Sequence, residues 1–220
     1  MKKKPPTSRP SSSNPGRRNP VRDWQDDPEM KLAFYARSFH AAAKALARAL
    51  KFDSGTLDEF DVCPVVSMYR QAAELHLKAF VTGKGSNFLV AKPDRISTMK
   101  TDSLSWLAQF VCQIITTVKW EALFKCPGIE SLADFKALIE KLNTVDPAAY
   151  AFRYPVHAQE RGSVQGDIAF NIPEFLSRVD ALLGLLDATA DALSAEWILR
   201  SDAVAGGSDW PNGGGGPTVH

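Results

Sequence analysis

The sequence predicts an all-α fold, an antiparallel helical bundle with a small β-hairpin or extended insertion before its last helix. Three observations predict it. Apolar residues recur with helical spacing along most of residues 28–200. Breakers at Asp53-Ser54-Gly55, Gly83, Cys126-Pro127-Gly128 and Asp146-Pro147 cut that region into helix-length pieces. One stretch, residues 150–172, changes to a period of two.

Residues 1–27 are rich in Pro, Ser, Arg and Asn and carry no apolar face, so a disordered basic arm is expected. The first helix is expected from Pro28 to about Lys51, with Ala33, Phe34, Ala36, Phe39, Ala43, Leu46, Ala47 and Leu50 on one stripe. His40 falls in that run beside Phe39 and Ala43, and packing accounts for it. The second helix, from about Pro64 to Thr82, lies in DVCPVVSMYRQAAELHLKAF. Proline suits a first helical turn, and Asp61 is placed to cap it. Val65, Val66, Met68, Tyr69, Ala72, Leu75, Leu77 and Phe80 spread over a wide arc, which marks a central helix touching several neighbours.

Residues 83–100 hold no helical period and read as a loop, with a short strand at Asn87–Val90 the one regular element considered there. A third helix is expected from a cap at Asp102 to about Phe124. A fourth, short helix opens at Ser131, with Asp134 three residues on in the manner of a capping box. In residues 150–172, Tyr150, Phe152, Tyr154 and Val156 alternate with Ala151, Arg153, Pro155 and His157. Val164, Ile168, Phe170 and Ile172 form a return arm in this reading, and Pro155 suits only an edge. Asn171 and Pro173 start the last helix, which holds its period to about Leu199. Residues 201–220 form a Gly-rich tail. The expected organisation is therefore an arm at 1–27, one bundle domain at 28–200 and a tail at 201–220.

Charge and cysteine content narrow the function classes. The formal net charge is +1, but Lys2, Lys3, Lys4, Arg9, Arg17, Arg18 and Arg22 all lie in a start that has no acid before Asp23. The remainder is mildly acidic, which argues against a broad nucleic-acid-binding face. Cys63, Cys112 and Cys126 form no CxxC pair and read as reduced intracellular thiols. No run of about 20 apolar residues is present, and the basic start lacks a signal-peptide core, so a cytoplasmic protein with no membrane partner is expected. P-loop, dinucleotide, GxSxG and HExxH motifs are absent, and Glu74 and His76 are spaced wrongly for a helical metal site. No metal or cofactor is expected.

Arg70, Glu74 and Lys78 fall at i, i+4 and i+8 and line one face of the second helix. The simplest reading is a set of helix-stabilising pairs. A sharper one is a buried or interfacial network that orients Arg153 or fixes the dimer, and a structural network is favoured because Glu74 can neutralise both bases.

Three segments together carry a resemblance. Tyr69-Arg70, Glu74-Leu75 and Leu77-Lys78 resemble the second-helix pattern of HEPN-like bacterial proteins. Thr101-Asp102-Ser103-Leu104 with Trp106-Leu107 is similar to the H-S/N-L-x-x-L start of their third helix, with Asp102 where His is usual. Asp146-Pro147 followed by Phe152-Arg153-Tyr154-Pro155 is similar to a DP…FRYP segment of one uncharacterised branch. The resemblance spans about residues 60–160 and implies a bundle that commonly forms homodimers. Active members are metal-independent ribonucleases, toxins and phage-defence effectors with an Arg-x(4–6)-His motif. In that chemistry the RNA 2′-hydroxyl attacks the adjacent phosphate, histidine moves the proton and arginine stabilises the phosphorane charge.

Two pairs approach the motif. Arg153 and His157 are separated by three residues including Pro155, so they cannot open a regular helix, yet a strand would place both on one side. Arg70 and His76 match by count but stand about 120° apart on one helix. Arg153 and His157 are the catalytic candidates. Arg70, Glu74, Lys78, Asp102 and Tyr154 are the binding or structural network. The expected function is that of a non-catalytic or degenerate HEPN-like protein acting by binding or dimerisation, in a stress or phage-defence context that the resemblance alone implies. The alternative is a metal-independent endoribonuclease using Arg153 and His157, with RNA as its partner.

Overall fold

The computed structural model describes residues 28–50, 59–145 and 171–206. Its elements are α1 (Pro28–Ala49), α2 (Glu59–Thr82), a 3-10 helix (Lys84–Phe88), α3 (Arg95–Lys100), α4 (Leu104–Val118), α5 (Leu132–Val145) and α6 (Ile172–Gly206). The fold is an all-α bundle. Among the described residues the β pairing is a single bridge, Cys126 with Ile129, which closes the turn before α5. The arm at 1–27, residues 150–170 of the alternating segment and the end of the tail lie outside the described residues, while Ile172, read as part of the return arm, opens α6.

The central position follows from the sequence of α2. It packs on α1, α4 and α6, and Val65, Ala72, Ala73 and Leu77 are fully buried. Small residues meet on the α1 side, where Ala36 and Ala43 are also fully buried, so two helix backbones can approach closely. Leu104, Leu107, Val111, Ile114 and Ile115 of α4 face the core, and Phe135, Ile139 and Leu142 of α5 close it from the far side. Val179, Leu182, Leu183 and Leu186 do the same from α6.

Several boundaries differ from the sequence reading, each for a local reason. Helix α2 starts at Glu59, so Pro64 stands inside it and Asp61 lies within the helical backbone rather than before it. Proline there removes only the bond to the Phe60 carbonyl, near the helix start, and the helix tolerates it. Residues 83–100 are two short helices rather than a loop with a strand at Asn87–Val90. Gly85 is buried in the 3-10 turn, where a Cβ would lie 2.6 Å from the Phe80 carbonyl oxygen. Phe88 then docks edge-on against Trp197 of α6, with ring centroids 6.1 Å apart. Asp94 caps α3, its carboxylate accepting from the Ser97 N–H at 2.8 Å. Six residues are too few to show a period.

Helix α4 is capped by Ser103, whose Oγ accepts from the Trp106 N–H at 3.2 Å, not by Asp102. It ends at Val118 rather than Phe124 because Lys119 turns left-handed at φ 62° and donates back to Ile115 and Thr116. The released chain folds Phe124 edge-on against Phe135, ring centroids 5.5 Å apart. The Ser131 start of α5 is as read, with the Ser131 hydroxyl donating to Asp134 at 2.8 Å and accepting from its N–H at 3.2 Å. Helix α6 runs past Leu199 to Gly206. No helix among the described residues is long and apolar enough to cross a membrane.

Candidate functional site

Two polar clusters interrupt the apolar interior, and α2 contributes to both. The first is the Arg70–Glu74–Lys78 stripe. Arg70 is fully buried, and its Nη1 donates to Glu74 Oε2 at 3.1 Å. Lys78 Nζ donates to Glu74 Oε1 at 2.7 Å. Each base also reaches a carbonyl on the neighbouring connection: Arg70 Nη2 donates to Asp102 at 2.9 Å and Lys78 Nζ to Met99 at 2.9 Å. One carboxylate is thus shared by two cations, and those cations tie α2 to the junction between α3 and α4. Asp102 joins through its backbone oxygen, while its side chain is exposed. Arg70 Nε is buried without a partner.

The second cluster lies between α1, α2 and α6. His40 Nε2 meets Asp180 Oδ1 at 2.7 Å, so His40 is held by a hydrogen bond and not by packing alone. Lys44 Nζ takes the other oxygen of Asp180 at 3.0 Å, and the Tyr69 hydroxyl donates to Asp180 Oδ1 at 3.4 Å. Farther along the same seam, Arg37 pairs with Asp187 at 2.7 Å and Asp191 at 3.1 Å. His76 is buried, stands edge-on to His40 with ring centroids 6.0 Å apart, and has no partner for its Nε2.

Electrostatics in this seam follow from burial and pairing. Burial raises the Asp180 carboxyl, but hydrogen bonds from His40 and Lys44 outweigh it and hold the group below its ordinary range. Burial, reinforced by Asp180, pushes the Tyr69 phenol well above its usual value. His76 moves the other way. Burial pushes it down to about 4, against the attraction of Asp187 and with the added repulsion of His40 and Arg37. It is neutral at pH 7.

The structure therefore brings Arg70, Glu74, Lys78 and the Asp102 carbonyl together. It separates the partners of the Arg-x(5)-His match, because Arg70 points to Glu74 and Asp102 while His76 stands beside His40. Arg153, Tyr154 and His157 lie outside the described residues. Cys112 and Cys126 are free thiols whose pKa values are raised by burial, which makes them poor nucleophiles. Among the described residues no group of three or more His, Cys, Asp or Glu side chains could hold a metal ion.

Sequence reasoning missed the second cluster, although a signal was present. Arg37, His40 and Lys44 lie at i, i+3 and i+7 on α1. Asp180, Asp187 and Asp191 share a face of α6 at i, i+7 and i+11. Two stripes of opposite sign on helices of one bundle are complementary. No protein-family model, no curated protein and no solved structure matches this chain.

Proposed function

We propose that this chain is a non-catalytic, HEPN-like helical protein that acts by association, first of all with a second copy of itself. One observation supports the non-catalytic part for the motif-like pair on α2: Arg70 has no exposure and shares Glu74 with Lys78, while Arg153 and His157 lie outside the described residues. A guanidinium held in that way cannot meet a phosphorane, which has to be approached by a donor free to face substrate. His76 supports the same reading, being buried beside His40 and away from Arg70. The HEPN resemblance supplies the association part and the stress or phage-defence setting.

Surface composition agrees with association. Helices α1 and α6 run antiparallel, since Arg37 pairs with Asp187 and Asp191 while Lys44 pairs with Asp180. That register sets exposed Met30, near the start of α1, about one turn from the level of exposed Ile198 and Leu199 on α6, with exposed Tyr35 more than a turn further along. Large apolar side chains gathered at one end of a bundle favour a protein partner.

Light scattering of the purified full chain at micromolar concentration tests the proposal. A mass near twice 24.1 kDa is expected, falling towards the single-chain mass in the Tyr35→Ser/Ile198→Ser variant. A strict monomer across that concentration range counts against self-association.

A further inference from the structure

A groove runs between α4 and α5, on a side of the bundle that neither α1 nor α6 lines. Its volume is about 1020 Å³, at the upper end of the range for small-ligand sites. The chain leaving the 3-10 helix supplies Leu89 and Val90 to its wall. Leu89, Ala108, Cys112 and Ile139 line it and are buried, so they form an apolar floor. Ala108 and Cys112 are small and one turn apart on α4, which leaves room above that floor.

Two pairs of polar side chains line the walls, one pair on each helix. Lys136 and Glu140 stand four residues apart on α5, about 6 Å along its axis. Lysine precedes the acid, which is the weaker order for a helical ion pair, and the two do not pair with each other. The Glu140 carboxylate accepts from the Ser105 hydroxyl of α4, and Lys136 has no carboxylate partner among the described residues. Gln109 and Gln113 repeat the four-residue spacing on α4, and their carboxamides have no hydrogen-bond partner among the described residues. A carboxamide offers both donors and an acceptor, the complement of one peptide unit.

We propose that the α4–α5 groove binds aliphatic peptides of dipeptide length as zwitterions, the ammonium on Glu140 and the carboxylate on Lys136. Charge selects this class. A simple anion drawn to Lys136 also meets the Glu140 carboxylate one turn away, whereas a zwitterion finds a partner for each end. Length selects it too. An extended chain advances about 3.5 Å per residue, so the termini of a dipeptide stand about 7 Å apart, close to the spacing of the pair on α5. The single peptide unit then falls to Gln109 and Gln113, and the aliphatic side chains to the floor. Ser105 is a positioning residue, holding the Glu140 carboxylate at the end of the groove nearest the start of α4. The site goes beyond self-association and does not depend on it.

NMR titration of the full chain with L-leucyl-L-leucine tests the site. Saturable shifts are expected in α4, α5 and Leu89–Val90, with a dissociation constant of about 1 mM or tighter. Lys136→Met and Glu140→Gln alter exposed side chains, keep their stems and remove one charge each, and each should weaken binding about 10-fold. N-acetyl-leucyl-leucine amide carries neither charge and should bind at least about 10-fold more weakly than the free dipeptide. Leu-Gly-Gly-Leu, whose charges stand about 14 Å apart, should lose as much. No saturable shift up to about 20 mM overturns the proposal. Equal affinity for the capped dipeptide, unchanged affinity in either variant, or shifts centred outside the groove overturn it as well. Tighter binding of the tetrapeptide overturns it in favour of longer peptide segments.

Discussion

Glu74 holds two cations with one carboxylate inside the bundle. Removing its charge leaves Arg70 and Lys78 buried and unpaired, which costs more than the pair contributes when intact. Glu74→Gln should therefore lower stability by about 3 kcal/mol in urea unfolding. Replacing all three residues by apolar ones (Arg70→Met, Glu74→Leu, Lys78→Met) should recover most of that loss, because no charge is then left without a partner. Gly128 gives a second test at this scale. It adopts φ +80°, and a Cβ there would lie 2.7 Å from Arg178 Nε, in the turn where Arg178 donates to the Gly128 carbonyl at 2.8 Å. Gly128→Ala should cost about 1–3 kcal/mol, read as a drop in thermal midpoint. The Arg70–Glu74–Lys78 contacts were legible from i, i+4 spacing. The Met99 and Asp102 carbonyls were not, because helical spacing carries no information about which backbone a side chain meets across the fold.

At the level of elements, periodicity located the long helices, and capping chemistry decided where they stop. Ser103 and Asp102 make this measurable. Both are cap-type residues and adjacent, but only the Ser103 side chain accepts from the first turn of α4, at 3.2 Å. Ser103→Ala should cost about 1 kcal/mol, while Asp102→Ala should stay within about 0.5 kcal/mol, since only the Asp102 backbone oxygen is engaged. Denaturant midpoints of the two variants separate these outcomes. The end of α4 escaped the sequence reading because Lys119 takes a left-handed conformation that glycine or asparagine more often fills. The short α3 escaped it because one and a half turns show no stripe. Yet Asp94, three residues before Ser97, was a readable cap signal in a stretch taken as loop.

For the molecule as a whole, the helical class was legible because four long helices carry a 3.6 period and share breakers. The polar seam between α1 and α6 was less so. It is visible only when stripes of opposite sign on distant segments are compared, as with Arg37, His40 and Lys44 against Asp180, Asp187 and Asp191. The charged groups of this seam pair with one another at the bundle surface, where Arg37 is half exposed and Asp191 largely so. The proposed non-catalytic role predicts that the protein does not cleave RNA. The most direct measurement incubates the purified full chain with mixed RNA in EDTA, alongside Arg153→Ala and His157→Ala. Intact RNA in all three samples is the predicted result. Cleavage by the native chain that survives EDTA and disappears in both variants would contradict it.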